Sequence, residues 1–131
     1  MNIWTNGCFD ILHIGHLELF KYAKSIGNKL FVGIDSDDRV KKHKGENRPF
    51  NNQATRLSFL QSIKHIDAVI IFNTDDDLRS AIKILRVDLI VIGDDYKDKY
   101  VIGSEYAPVI FFPKLPNYST TKIHNELSNR D

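Results

Sequence analysis

The sequence predicts a doubly wound α/β fold: a single domain built on a five-stranded parallel sheet with helices on both faces. Three observations carry this expectation. Short apolar runs alternate with helical patterns from end to end. Parallel strands joined by right-handed crossovers place helices on both sides of a sheet. The length, 131 residues, is that of one ordinary domain, able to bury most of its apolar surface without disulfides or metals.

Each element follows in order. The first strand ends in TNG at Gly7, and a helix runs from about Ile14 to Ser25 with Leu17, Phe20, Ala23 and Ile26 along one stripe. Gly27-Asn28 supplies its stop. KLFVGID is a second, buried strand. The stretch VKKHKGENRPFNN is polar and basic, is punctuated by Gly45 and Pro49 and shows no clear period, so it is expected to be a functional loop. Next come a helix from about Gln53 to Lys64, a strand at DAVIIF, a helix from about Leu78 to Leu85 and a strand at VDLIVIG. The chain then turns through DDYKDKY, makes a last strand near PVIFF and ends in a helix opened by Ser119, Thr120 and Thr121. No repeat, low-complexity segment or linker interrupts the series.

Composition narrows the function classes. An apolar fraction of 42% and a charged fraction of 27% are ordinary for a soluble globular protein. With 18 basic and 17 acidic residues the net charge is only +1. That argues against gripping nucleic acid through its phosphates, so any anion site must be local. Cys8 is the single cysteine, which rules out an internal disulfide and suits a reducing, cytoplasmic setting. Its thiol is expected to pack as a small apolar group. No run approaches the ~18 apolar residues that span a bilayer, and no basic region followed by an apolar one opens the chain.

The candidate site is NGCFDILHIGH, residues 6–16, where the first strand gives way to the first helix. In an open α/β sheet that turn is an anion site, because the helix start presents unpaired N–H groups and a partial positive charge. Neither GxGxxG nor GxxxxGK is present, so other groups must handle phosphate here. His13 and His16, three residues apart, point the same way, and Gly15 between them leaves room for a phosphate. A metal site is the competing reading of such a pair, with His65 or Asp10 able to supply a third ligand.

GCFDILHIGH resembles the GxFDxxHxGH signature of the nucleotidyltransferase superfamily of cytidylyl- and adenylyltransferases, whose fold is Rossmann-like. KGENRPFNNQATR, IGDDYK and YSTTKI extend the resemblance over essentially the whole chain, in order. The resemblance implies that His13 and His16 contact a triphosphate and stabilise the transition state, with Lys44 approaching the phosphates and Lys42 a neighbour. Gly7, Cys8, Phe9, Asp10 and Gly15 would border the nucleotide. Arg56 and the hydroxyls of Ser119, Thr120 and Thr121 would hold the triphosphate, while Arg48 organises its loop. Asp94, Asp95 and Tyr96 would lie near the base or ribose.

The implied reaction is attack of an acceptor's phosphate oxygen on the α-phosphorus of a nucleoside triphosphate, with pyrophosphate leaving. Such an acceptor is already ionised near neutral pH and needs no general base. What is needed is positioning of two mutually repelling polyanions and neutralisation of growing charge. Magnesium, bound mainly through nucleotide phosphates, is the expected cofactor, and a homodimer the expected assembly.

NGCFDILHIGH, KGENRPFN and GDDYK followed by Gly103-Ser104-Glu105 resemble the adenylyltransferase domain that makes ADP-heptose. IGDDYKDKY and STTKIHNEL also resemble the glycerol 3-phosphate cytidylyltransferases, whose RTxGISTT arginine is absent from KLPNYSTT. Asp94 replaces a glycine of the heptose branch and could accept from the amino group of either base. The expected function is therefore adenylyl transfer to a heptose-type sugar 1-phosphate, with cytidylyl transfer to a polyol phosphate as the alternative and a non-catalytic nucleotide sensor as one of another class. Lys97, Tyr100 and Glu105 are available to help bind the acceptor without being assigned to it.

Overall fold

The computed structural model describes residues 1–113. The final helix expected after Ser119 lies outside the described residues, together with Ser119, Thr120 and Thr121. The described elements are β1 (Asn2–Gly7), α1 (Ile14–Ser25), β2 (Lys29–Asp35), α2 (Asp37–Lys44), α3 (Gln53–Gln61), β3 (Ala68–Phe72), α4 (Asp75–Ile84), β4 (Leu89–Gly93), a 3-10 turn (Asp94–Tyr96) and β5 (Val109–Phe112). All five strands are parallel, in the order β3-β2-β1-β4-β5. The chain winds outward from β1 in one direction and then from β4 in the other, so the strand order reverses between β1 and β4.

Both faces of the sheet are buried, and the strands show it by sending successive apolar residues to opposite sides. On one face Ile3 and Val91 join Phe20 and Ala23 of α1 and Leu60 of α3. On the other, Trp4, Ile90 and Ile92 join Leu78 and Ile82 of α4. Trp4 is fully buried and donates its indole N–H to Asn6 Oδ1 at 2.9 Å. It fits because β2 carries glycine beside it: a Cβ on Gly33 would stand 2.4 Å from Trp4 Cζ2.

β1 pairs with β2 over six residue pairs but with β4 over only two, Ile3 with Leu89 and Trp4 with Ile90. The sheet therefore opens at its carboxyl edge, on the side where the strand order reverses.

Residues 40–44 correct the sequence reading. They form the end of α2, not part of a loop. Ser36 Oγ caps that helix by accepting from Arg39 N, Asp37 and Asp38 occupy its first turn, and Lys41, Lys42, His43 and Lys44 its last. Gly45, at φ 103°, ends it. Charge at each end complements the helix dipole. Only Val40 of the helix is buried, so no apolar stripe exists for periodicity to reveal. The helix expected from Leu78 starts earlier, at Asp75, because Thr74 and Asp77 form a capping box. The one expected to reach Lys64 stops at Gln61. Between β4 and β5 the chain makes the 3-10 turn and further turns in place of a crossover helix.

Candidate active site

The turn between β1 and α1 is built around Phe9. Its φ of 48° lies in the left-handed region, which costs a non-glycine residue roughly 1–3 kcal/mol. Packing offsets that cost: the buried ring meets His16 edge-on at 5.3 Å and Phe20 at 5.2 Å. The chain is thereby bent so that His13 becomes the N-cap of α1.

The two histidines cap the helix together. His13 Nδ1 accepts from Gly15 N at 3.1 Å, and His16 Nδ1 accepts from His13 N at 3.1 Å. The rings stack at 3.8 Å with 25° between planes. An Nδ1 that accepts a hydrogen bond carries its lone pair there, so each neutral ring bears its hydrogen on Nε2. Both rings are thus donors at Nε2. Gly15 is required for this arrangement, since a Cβ there would stand 2.8 Å from His13 Cε1.

His16 is held in the neutral form. Burial, then His13 and then Lys44 push its pKa down from 6.5 to about 3. Protonating Nδ1 would also break the cap. The effect of Lys44, which lowers the pKa of both His16 and Cys8, puts the end of α2 beside the turn. Burial nonetheless raises the Cys8 thiol overall, which leaves it protonated at neutral pH.

A cavity of about 320 Å³ lies beyond the carboxyl ends of β1, β2 and β4. Its lining comes from Asn6 and Gly7 of β1, from Asp35, Arg39, His43 and Lys44 at the end of β2 and along α2, and from Tyr96, Tyr100, Val101 and Ile102 after β4. His13 and His16 are not among its lining residues. Lys44 is shared between the cavity and the histidine turn. Asp35, Arg39 and His43 were missed by sequence reasoning. Asp35 had a signal, its place at a strand's carboxyl end; Arg39 and His43, one helical turn apart on a helix without an apolar stripe, had none.

Arg39 braces the basic wall. It donates to Asp35 Oδ1 and to Asp75 Oδ1, each at 2.8 Å, and its guanidinium lies 5.1 Å from the centroid of the Phe72 ring. Its hydrogen bond holds the Asp75 carboxyl below its usual pKa.

Arg56, which the resemblance carries to the triphosphate, is fully buried and committed to protein acceptors. It donates to the carbonyls of Asn51, Cys8 and Asp35 and to the Asp37 carboxylate, at 2.7–3.0 Å. Four of its five N–H groups are spent in these bonds. It ties the β1 turn to the ends of β2 and α3 and the start of α2. Asp10 is likewise buried: its carboxylate accepts from Phe50 N and Asn51 N, each at 2.7 Å, and its carbonyl from Asn51 Nδ2. It clamps the loop containing the cis Arg48-Pro49 bond. Arg48 is buried against it, Nε 3.6 Å from Asp10 Oδ2.

Asp94, Asp95 and Tyr96 form the 3-10 turn after β4, and of the three only Tyr96 lines the cavity. Burial, with Asp95 and Asp35 nearby, raises its phenol pKa. Among the described residues no group of three or more His, Cys, Asp or Glu side chains is gathered to hold a metal ion.

Residues 4–126 match the family described as Cytidylyltransferase-like. The chain belongs to the cytidylyltransferase-like family. Its relatives include the bifunctional protein HldE of Campylobacter fetus, 45% identical over 95% of this chain and 27% of the relative. Those of Nitratiruptor sp. and Helicobacter hepaticus are 47% and 41% identical, each over 92% of this chain and 26% and 25% of the relative. The chain thus spans about a quarter of the length of these curated relatives. The fold is shared with the crystal structure of a lipopolysaccharide core biosynthesis protein from Thermoplasma volcanium, at TM-score 0.69 and 24% identity over 91% of this chain and 98% of that one. A pantoate-beta-alanine ligase from Francisella tularensis follows at TM-score 0.59 and 16% identity over 98% and 69%. The cytidylyltransferase-like family is one of nucleotidyltransferases, and its Rossmann-like α/β sheet is the one described above.

Proposed function

We propose that the chain transfers an adenylyl group from ATP to a heptose-type sugar 1-phosphate, releasing pyrophosphate. The observation that carries this is the histidine cap beside Lys44: a neutral His16 stacked on His13, each with Nδ1 accepting in the cap and Nε2 left to donate, fixed at a helix start at the carboxyl edge of the sheet. Relatives at 40–47% identity over nearly the whole chain support the heptose branch over the polyol one.

An acceptor phosphate oxygen forms a bond to the α-phosphorus while the bond from that phosphorus to the bridging oxygen of pyrophosphate breaks. The donors of His13 and His16 stabilise charge growing on the phosphoryl oxygens, and because they are held by the cap they need no reorganisation as the reaction proceeds. Lys44 offsets the repulsion between acceptor and triphosphate. Arg56 and Asp10 act as positioning residues, holding the turn, the loop and α2 in register. Magnesium, bound mainly through the nucleotide's phosphates, would offset their charge. Ser119, Thr120 and Thr121 remain part of the proposed triphosphate site, and a homodimer remains the expected assembly.

Pyrophosphate release with magnesium, crossing ATP and CTP against heptose 1-phosphate, other sugar 1-phosphates and glycerol 3-phosphate, tests the reading. Release with ATP and a sugar 1-phosphate is expected. Release only with CTP, or nucleotide binding without release for any acceptor, would overturn it.

A further inference from the structure

The cavity has two chemically different sides. The β2–α2 segment offers His43 and Lys44 together with Arg39 and its partner Asp35, while the segment after β4, on the other side of β1, offers Tyr96 and Tyr100 with the apolar Val101 and Ile102. A ligand with a phosphate at one end and a hydroxylated ring at the other matches that division, because sugar rings lay C–H faces on aromatic and aliphatic walls and direct hydroxyls to polar edges. The volume, about 320 Å³, is that of a small-molecule site.

Tyr100 stands out on the aromatic side. Its side chain is largely exposed, yet its hydroxyl is committed: it donates to Glu105 Oε2 at 2.7 Å. Glu105 Oε1 in turn accepts from Arg79 Nε of α4 at 3.1 Å. The segment carrying both residues is anchored, with Val101 and Ala107 buried against α4's side of the core and Gly103, at φ 97°, so close to α4 that a Cβ would stand 2.3 Å from Ile82 Cδ1. The Arg79 side chain also meets this phenol, so a hydroxyl whose hydrogen is given to a carboxylate and whose oxygen already faces a guanidinium can serve a ligand only through its remaining lone pair. It would therefore accept from a hydroxyl and repel a phosphate.

We propose that Tyr100, held by Glu105 and Arg79, is an acceptor-specificity residue whose phenol oxygen accepts a hydrogen bond from a ring hydroxyl of the sugar, the sugar's phosphate lying toward Lys44. This rests on the adenylyl transfer proposed above. Glu105 and Arg79 are positioning residues that fix the direction of the phenolic hydrogen. The Tyr100–Glu105 bond itself stabilises the carboxylate, whose pKa is lowered.

Steady-state kinetics of the full chain with ATP and heptose 1-phosphate test the assignment. Tyr100→Phe keeps the ring and removes the oxygen, and is expected to raise the acceptor KM by about three- to tenfold, as for loss of one neutral hydrogen bond, while the KM for ATP and the thermal unfolding midpoint stay unchanged. Glu105→Gln should move the acceptor KM in the same direction by a smaller factor. An unchanged acceptor KM in Tyr100→Phe, or equal rises in the KM for ATP and acceptor, would overturn the assignment and leave adenylyl transfer standing. Wild-type inactivity with every sugar 1-phosphate would overturn both.

Discussion

Two neighbouring regions meet at Lys44 and present their polar groups in opposite ways. The histidine turn is local: His13, Gly15 and His16 bond one another within four residues, and burial keeps His16 uncharged. The α2 wall is charged and long-range: Arg39 is held by Asp35 one helical turn back in sequence and by Asp75, 36 residues away. The turn offers fixed dipoles that cost nothing to reorient, as suits a transition state. The wall offers full charges held by ion pairs between distant segments, which attract an anion over a longer range. In the proposed reaction, binding and turnover would thereby rest on different physical effects.

Arg56 joins the two regions, so removing it should be the largest single perturbation. Arg56→Met would leave the carbonyls of Cys8, Asp35 and Asn51 and the Asp37 carboxylate without their donor. Urea unfolding should show a loss of about 3–5 kcal/mol. A loss below about 1 kcal/mol would mean the turn and the wall do not depend on this tie.

Next in size is His16→Ala, which should lower turnover by roughly a hundredfold or more, about 3 kcal/mol of barrier, if the neutral donor acts in the transition state. Turnover within a few-fold of wild type would remove the proposed division of labour.

The third prediction concerns pH. His16 has a folded pKa of about 3 against 6.5 when unfolded, so below pH 6.5 the unfolded chain binds the extra proton. Stability from this group is complete above pH 6.5 and falls as pH drops through the window toward 3. Between pH 6.5 and 5, where most carboxylates stay ionised, the slope should approach but not exceed about 1.4 kcal/mol per pH unit, and His16→Ala should abolish it. A His16 titration near pH 6.5 by NMR would show that the turn does not hold this ring neutral.

Smallest is Asp75→Asn on the wall. The partner carboxylate is 54% exposed, so its pair with Arg39 should contribute at most about 1 kcal/mol, less in high salt. A loss above about 2 kcal/mol would place the wall in the same class as the turn.

The same contrast explains what could be read in advance. The turn is legible because its geometry closes within a short stretch: HxGH sets both rings on one helical turn, and the strand before it and the stripe after it are periodic. The helical start and the doubly wound sheet were legible for the same reason. The tie made by Arg56 was not, because three of its acceptors are backbone carbonyls, which every residue has. Nor was α2, whose capping serine and end charges look like an ordinary polar loop when only Val40 is buried. The cavity escaped for a third reason: Asn6, Asp35, Arg39, Tyr96 and Tyr100 come from separate segments that only the sheet brings together.

The brief pairing of β1 with β4 has an evolutionary corollary. Because the crevice arises from two strands parting after Trp4, its place is set by the main chain and its lining by whatever side chains border it. If the proposed acceptor lies in this crevice, exchange of the lining would change the cargo without relocating the reaction. Substrate preference in such a molecule should drift faster than chemistry does.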